Sequence, residues 1–381
     1  MFSRTLKPLP RKSFFLFGPR GTGKSSWVRS AFPEAVYVDL LDSRTYQELL
    51  ADPGKIATYL TPAKQPQTII IDEIQKVPAL LDEVHRLIES RQRPQFVLTG
   101  SSARKLRAKG VNLLAGRSLT MRMHPLTAQE LDARFDLNFA LKYGFLPSVY
   151  NEADPRAHLS AYVATYLKEE VQQEGITRNL GAFSRFLQAA SFSQGAVLNI
   201  SHTARECAVE RKVVENYFTV LEDLLLAARV PVFTRRAQRR AVQHPKFYFF
   251  DAGVYRALRP TGPLDSPAEI DGAALETVVY QQFDAVNSNH QLGYELSYWR
   301  VKSGLEVDFV LYGERGLKAF EVKRSARVGS TDLRGLMAFR DEFPVAETYM
   351  LYGGDRTYEI DGTRVIPVAE AMVRANELLD S

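Results

Sequence analysis

The residues best suited to chemistry form a glycine-rich segment near the start of the chain. It follows the apolar run Phe14–Phe17 and reads Gly18-Pro19-Arg20-Gly21-Thr22-Gly23-Lys24-Ser25-Ser26. This is the spacing G-x-x-x-x-G-K-[ST], in which backbone N–H groups and a helix N-terminus surround phosphate groups. Lys24 supplies a cation for the β- and γ-phosphates, and Ser25 a hydroxyl ligand for magnesium. A chance glycine turn is the alternative, but the context favours binding of a nucleoside triphosphate.

Two carboxylates, Asp72 and Glu73, lie about fifty residues further on, directly after the β-branched run 68–71. Continuous apolar runs of this kind are typical of parallel strands buried between helices, whose carboxyl ends bind ligands. Asp72 is suited to hold magnesium, directly or through water, and Glu73 to polarise the water that attacks the γ-phosphate. Taken alone, the pair could equally cap a helix. Together with the phosphate loop, it indicates hydrolysis.

Small hydroxyl residues end the next predicted strand, Gln95–Thr99. Thr99 and Ser101 flank Gly100 there. Both could contact the γ-phosphate or the attacking water. A simple turn that caps a helix starting at Ala103 explains the same residues, so the two interpretations remain open.

The order of these motifs, followed by Leu114-Ala115-Gly116-Arg117, resembles the AAA+ ATPases. It resembles more closely a prokaryotic group in which such a module is fused to a C-terminal domain of unknown function. The resemblance implies a P-loop parallel sheet that hydrolyses ATP with magnesium. It also nominates Arg117 as an arginine finger that reaches the nucleotide of a neighbouring subunit, which would require a homo-oligomer. A helix-end arginine, favourable at the C-terminal dipole, accounts for Arg117 equally well.

The middle of the chain predicts two helices joined by a tight turn. The first helix ends near Cys207, and the second begins at Arg211. Two strands, 230–233 and 246–251, follow, as in a winged helix, and the resemblance supports this fold. If the module binds DNA, the second helix would enter a groove and the basic segment between the strands would neutralise phosphates. The candidate contacts are Arg211, Lys212, Asn216, Arg235, Arg236, Arg239 and Arg240. A protein-binding module with a solvated basic loop is the alternative.

The C-terminal part predicts a helix, 270–286, and three strands, 295–301, 305–311 and 317–322. An aspartate on one strand and Glu-x-Lys on the next resemble the core of PD-(D/E)xK nucleases, although Val307 replaces the proline. The resemblance implies that Asp308 and Glu321 hold magnesium, that Lys323 orients water, and that Glu276 completes the site. Paired charges on an edge strand are the alternative, and nuclease folds can also serve as binding platforms.

Composition and length bound these interpretations. The chain has 381 residues, 45% of them apolar and 24% charged, which is typical of a soluble globular protein with two or three domains. A net charge of +5 does not by itself indicate nucleic-acid binding. Cys207 is the only cysteine, which excludes an internal disulfide and suits a reducing cytoplasm. No apolar run approaches the length that spans a bilayer, so we expect no membrane association.

We therefore expect an α/β protein with three domains: an AAA+ P-loop ATPase domain (1–135), a helical and winged-helix domain (136–260), and a nuclease-like C-terminal domain (261–381). The leading hypothesis is an ATPase that binds DNA and couples its nucleotide cycle to DNA processing, and whether the C-terminal domain also cleaves DNA with a metal ion is left open. The alternative is an ATP-dependent switch that recruits a protein partner and has no nuclease activity.

Overall fold

The computed structural model describes residues 2–60, 67–91, 93–104, 106, 119–167, 169, 179–234 and 244–380. The chain divides into two compact units. The first comprises Met1–Pro125 with Asp223–Leu225, and the second comprises Leu126–Glu222 with Leu226–Ser381. The finer division at 136 and 261 stays a prediction.

The first unit is built on a parallel five-stranded sheet with the strand order β2-β3-β4-β1-β5, which confirms the α/β prediction. Its strands are β1 (Phe14–Phe17), β2 (Val36–Asp39), β3 (Thr68–Asp72), β4 (Gln95–Gly100) and β5 (Leu119–Arg122). Its helices are α1 (Lys24–Ala31), α2 (Ser43–Ala51) and α3 (Leu80–Ile88), with a 3₁₀ helix at Pro53–Tyr59.

Both faces of this sheet are buried, because successive side chains of each strand point to opposite sides. Phe15 packs in the cluster that contains Leu80 and Val84 of α3. Phe14 packs in the cluster that contains Trp27 and Val28 of α1. Buried faces on both sides explain why the strands read as unbroken apolar runs rather than as alternating ones. The parallel arrangement brings the ends of β1, β3 and β4 to one edge.

The second unit begins with helices. They are α4 (Ala128–Leu131), α5 (Leu137–Tyr143), α6 (Pro155–Ala161), which continues as a π-helical segment Tyr162–Leu167, α7 (Leu180–Ser191), α8 (Ile200–Cys207) and α9 (Arg211–Asp223). An antiparallel pair of strands follows, β6 (Ala227–Val230) and β7 (Lys246–Phe249), and then α10 (Ala252–Leu258). The order of helix, turn, helix and two strands is the one that the sequence predicts.

The position of β6 corrects the predicted strand 230–233. The strand ends at Val230, since Pro231 has no N–H group to continue the ladder. The chain then turns to a different partner: the Phe233 N–H donates to the Tyr298 carbonyl at 2.6 Å, and the Tyr298 N–H donates to the Pro231 carbonyl at 3.0 Å. The apolar residues 232–233 thus join the C-terminal sheet rather than β7.

The C-terminal part of this unit is a mixed six-stranded sheet with the order β12-β13-β11-β10-β9-β8. Its elements are α11 (Pro267–Asn289), β8 (Glu295–Arg300), β9 (Glu306–Gly313), β10 (Gly316–Lys323), α12 (Arg334–Glu342), β11 (Glu347–Tyr352), β12 (Tyr358–Ile360), β13 (Thr363–Pro367), α13 (Val368–Val373) and α14 (Ala375–Asp380).

Helices cover both faces of the C-terminal sheet. Phe320 of β10 packs against Phe283 of α11, with ring centroids 4.7 Å apart. The neighbouring Ala319 belongs to the cluster that contains Leu336 and Phe339 of α12. Adjacent strand residues point to opposite faces, so α11 and α12 lie on opposite sides. Since β9 and β10 are antiparallel neighbours with Phe309 opposite Phe320, Asp308 and Glu321 lie side by side, as expected.

Candidate functional site

The glycine-rich loop connects the end of β1 to the start of α1. Gly21 and Gly23 have φ values of 83° and 91°, a conformation that favours glycine. A Cβ atom on Gly18 would lie 2.3 Å from the Met123 carbonyl oxygen, so only glycine fits there. Gly23 is also the residue that caps α1, and no side chain occupies the cap. The loop therefore leaves the helix N-terminus open toward a ligand.

Lys24, the first residue of α1, folds back over this loop. Its Nζ donates to the carbonyl oxygens of Gly18 at 2.7 Å and Pro19 at 3.0 Å. Thr22 Oγ1 donates to the Pro19 carbonyl oxygen at 2.8 Å. The lysine cation is thus held at the loop by neutral carbonyl groups, for which a phosphate oxygen is a stronger competitor. Ser25 is half-buried, whereas Arg20 and Ser26 are exposed.

Asp72 ends β3 and is held by two hydroxyl groups. Thr99 of β4 donates to Oδ1, and Tyr37 of β2 donates to Oδ2. Burial, followed by the hydrogen bond to Asp72, raises the pKa of Tyr37 to about 12, so the phenol stays protonated and keeps donating. Thr99 Oγ1 also accepts from the Glu73 N–H at 3.3 Å. One hydroxyl group therefore positions both residues of the acidic pair.

Glu73 lies directly after β3 in a left-handed conformation, with φ 63° and ψ 45°. Such a conformation is unfavourable for a non-glycine residue and is concentrated at functional sites. Gln75 Nε2 donates to Glu73 Oε2, and it lies 3.5 Å from Ser101 Oγ. A Cβ atom on Gly100 would lie 2.5 Å from Gln75 Oε1, so this glycine makes room for the amide. Ser101 thus reaches Glu73 through Gln75, and its role as a γ-phosphate sensor stays a prediction.

Sequence analysis missed Tyr37 and Gln75. Tyr37 could have been found from the parallel order, because β2 and β3 are neighbours and their ends must lie together. Gln75 follows the acidic pair by two residues but carries no motif. Arg117 lies outside the described residues, and its role as an arginine finger stays a prediction.

These residues fit ATP and magnesium by the chemistry of their donor set. The loop offers backbone N–H groups and the Lys24 cation to phosphates, and Ser25 and Asp72 supply oxygen ligands of the kind that magnesium prefers. Glu73 stands at the same sheet edge, and Gln75 donates a hydrogen bond to one oxygen of its carboxylate.

The predicted nucleic-acid residues are only partly described. Arg211, Lys212 and Asn216 are exposed at the start of α9, and Arg211 lies 3.9 Å from Glu215. The exposed charges of α8, the turn and early α9 balance: Arg205, Arg211 and Lys212 oppose Glu206, Glu210 and Glu215. This face therefore carries no excess of positive charge for phosphates. Arg235, Arg236, Arg239 and Arg240 lie outside the described residues.

The predicted nuclease-like residues meet in the second unit, together with a lysine that sequence analysis did not include. Lys246 of β7 places Nζ 2.5 Å from Glu306 Oε1, 3.1 Å from Asp308 Oδ1 and 3.8 Å from Glu276 Oε2. The other Asp308 oxygen accepts from the Val322 N–H at 3.0 Å. Lys323, by contrast, contacts Asp332 and not the other predicted residues.

The charge states in this cluster follow from burial and mutual contact. Burial, and next the Asp308 carboxylate, raises the pKa of Glu276 to about 8. The same two causes raise the pKa of Glu321 well above its usual range, and Glu321 Oε2 is buried without a hydrogen-bond partner among the described residues. Burial lowers the pKa of Lys246, but the surrounding carboxylates outweigh it and raise the pKa overall, so the lysine is charged.

This arrangement does not fit a metal ion. Asp308 Oδ1 already accepts a hydrogen bond from a buried ammonium group, whose positive charge would repel a metal ion placed beside it. Over the described parts of the chain, no group of three or more histidine, cysteine, aspartate or glutamate residues could hold a metal ion. The assignment of magnesium to Asp308 and Glu321 stays a prediction, and no chemical step is derived from it.

Comparisons with known proteins divide the chain into three segments. Residues 10–132 match a family model described as an AAA domain. An AAA-family domain is present at the N-terminus. This domain indicates a nucleotide-binding P-loop NTPase, in agreement with the loop and the acidic pair. Residues 134–265 and 271–371 match two models described as Domain of unknown function, DUF8612 and DUF4143.

The remaining comparisons add no function. No curated protein matches the chain. Among solved structures, the crystal structure of protein VC1899 from Vibrio cholerae is similar at 13% identity and a TM-score of 0.24, over 91% of this chain and 97% of that chain. None of the helices in the described residues is long and apolar enough to cross a membrane.

Proposed function

We propose that the first unit binds ATP and hydrolyses it to ADP and phosphate. The observation that carries the proposal is the meeting of the phosphate loop, Asp72 and Glu73 at one edge of the parallel sheet. A hydroxyl group from Thr99 ties the acidic pair together there. The left-handed backbone of Glu73 supports a functional rather than a structural role, because a helix cap would not need it.

In the proposed reaction, the loop N–H groups and Lys24 bind the β- and γ-phosphates. Magnesium, held by Ser25 and Asp72, would neutralise charge on the phosphate oxygens. Glu73 accepts a proton from water while the water oxygen forms a bond to the γ-phosphorus. The bond from that phosphorus to the bridging oxygen breaks, and ADP leaves with the electron pair. Gln75 and Thr99 hold the carboxylates in place during this step.

Lys24→Ala tests the binding step. We expect this variant to lose ATP affinity, because it removes the ammonium group that the Gly18 and Pro19 carbonyl oxygens hold at the loop. Lys55→Ala is the matched control, since it removes the same charge from an exposed lysine that pairs with Glu48 at 3.2 Å. Titration calorimetry with ATP and magnesium measures both variants. Equal affinity in the wild type and Lys24→Ala would overturn the proposal.

The proposal extends to DNA as the ligand to which hydrolysis is coupled. Its support is the sequence of residues 235–240, in which four of six side chains are arginine. Such a cluster neutralises phosphates and gives affinity without sequence preference. The balanced charges of α8 and early α9 do not add to this support. A protein partner that binds the second unit is the competing outcome.

A further inference from the structure

A buried lysine fills the carboxylate cluster of the second unit. The Lys246 side chain is only 4% exposed, and its ammonium group contacts oxygens of Glu306 and Asp308, with Glu276 slightly further away. The aromatic ring of Tyr298 lies on another side, 5.5 Å from Nζ. The ammonium group is thus enclosed by anionic oxygens and a ring face, the two kinds of partner that stabilise a buried cation.

The backbone fixes the lysine at this position. Lys246 pairs with Val230 in the two-stranded sheet and makes a further bridge to Val197. Glu306 is held in turn by Arg300, whose Nε lies 3.6 Å away. The pairing of this strand on both sides holds the backbone of Lys246 beside the cluster, and the contacts of Nζ with three carboxylates favour the rotamer that keeps it there.

A divalent metal ion shared by Glu306 and Asp308 would need the place that Nζ occupies. Magnesium binds oxygen at about 2.0–2.1 Å and repels a second cation at short range. The lysine of the motif, Lys323, does not enter the cluster and contacts Asp332 instead. The ammonium group of Lys246 thus supplies the positive charge that balances the carboxylates of the cluster.

We propose that Lys246 is an internal cation that takes the metal position of the carboxylate cluster and excludes divalent ions from it. The cluster then joins β7 to β9 and α11 by charge, and it does not perform metal-dependent cleavage. This inference is independent of ATP hydrolysis in the first unit, and neither result decides the other.

Binding of Mn²⁺ to the nucleotide-free full-length chain tests the inference. We expect the wild type to bind no Mn²⁺ that depends on Asp308, so that wild type and Asp308→Asn give equal titrations. Lys246→Met removes the ammonium group but keeps the length of the side chain. We expect it to bind one Mn²⁺, whereas the wild type should show no Asp308-dependent binding even at Mn²⁺ concentrations about 100-fold higher. Adding Asp308→Asn to Lys246→Met should abolish this binding.

Lys318→Met is the matched control. Lys318 is also a buried lysine of the C-terminal sheet, but it pairs with Glu347 at 3.2 Å, outside the cluster. It should gain no Mn²⁺ site. Because Lys246→Met leaves carboxylates unpaired, its thermal unfolding is measured with and without Mn²⁺, and we expect the metal to raise its midpoint. An Asp308-dependent Mn²⁺ site in the wild type would overturn the inference. So would a folded Lys246→Met chain that binds no Mn²⁺.

Discussion

At the scale of single residues, the chemistry of the first unit depends both on residues that belong to a sequence motif and on residues that belong to none. Lys24, Asp72 and Glu73 could be identified from their spacing, because phosphate binding restricts that spacing strictly. Gln75 could not, since a hydrogen bond along a turn leaves no pattern in sequence, and Tyr37 could be found only from the neighbouring positions of β2 and β3 in the sheet. The hydroxyl group of Thr99 binds Asp72 and the Glu73 backbone, and its contact with the γ-phosphate stays a prediction.

The second unit shows the same limit. Glu276, Asp308 and Glu321 were identified by resemblance, but Lys246 belongs to a strand about sixty residues before Asp308. A buried lysine within an aromatic strand reads as an ordinary edge residue. Only the three-dimensional arrangement shows its contact with the carboxylates, and this contact changes the expected chemistry of the cluster.

The raised pKa of Glu276 predicts a pH dependence of stability. With a folded pKa of about 8, above the usual 4.5 of a glutamate, Glu276 keeps a proton that the unfolded chain has released. The contribution of Glu276 to the free energy of unfolding is present at low pH and is lost as the pH rises from about 4.5 to 8. Glu276→Gln, which imitates the neutral form and can accept from Tyr248, should lack this dependence.

Urea unfolding between pH 5 and pH 8 measures the effect. Trp27 and Trp299 are the two tryptophans of the chain, so a Trp27→Phe background makes Trp299 report on the second unit. As the pH rises, we expect the free energy of unfolding of the protein that keeps Glu276 to fall relative to that of the Glu276→Gln variant. The difference should change by at most about 1.4 kcal/mol per pH unit. Parallel curves for the two proteins would contradict the assignment of a protonated Glu276.

At the scale of elements, most strands of the first unit could be predicted to within a residue or two. Runs of β-branched and aromatic residues buried on both faces leave few alternatives. Errors arose where tertiary pairing decided the outcome. Pro231 ends β6 and directs the following residues to β8. Beyond Lys323 the sequence analysis assigned no elements, and β11–β13 complete the C-terminal sheet there.

The close approach of the phosphate loop to the chain after β5 gives a prediction at this scale. In Gly18→Ala, the new Cβ atom would lie 2.3 Å from the Met123 carbonyl, a backbone atom that cannot move aside alone. We expect the first unit to be destabilised by at least about 2 kcal/mol, with weaker ATP binding.

Thermal unfolding, followed by Trp27 fluorescence in a Trp299→Phe background, measures this loss. Gly54→Ala is the control in the same unit, since its nearest contact is a side-chain oxygen of Asp52 at 3.1 Å. If Gly18→Ala were as stable as Gly54→Ala, the loop would accommodate a Cβ atom at residue 18, which would contradict the close contact with the Met123 carbonyl.

At the scale of the whole molecule, DNA is the ligand to which we propose that ATP hydrolysis is coupled. If DNA is the ligand, the rate of hydrolysis should rise with added DNA, and binding should weaken as salt increases, because bound counterions are released. Replacing Arg235, Arg236, Arg239 and Arg240 by alanine should reduce both effects. A matched control replaces Arg211 and Lys212, whose charges are balanced by neighbouring glutamates.

Fluorescence anisotropy with labelled duplex at several salt concentrations, together with a phosphate-release assay, measures both effects. If duplex neither binds nor changes the rate at low salt, the DNA proposal fails, and a protein ligand for the second unit becomes the better account. The proposed hydrolysis of ATP would be unaffected by that result.

The central claim is that the first unit hydrolyses ATP with Glu73 as the base, and Glu73→Gln tests it most directly. Glutamine can still accept the hydrogen bond from Gln75 but cannot take a proton from water. The measurement is single-turnover hydrolysis of ATP with magnesium, alongside ATP affinity. We predict affinity near that of the wild type and a rate lower by about 10²- to 10⁴-fold. A Glu73→Gln chain that hydrolyses ATP at the wild-type rate would contradict the account.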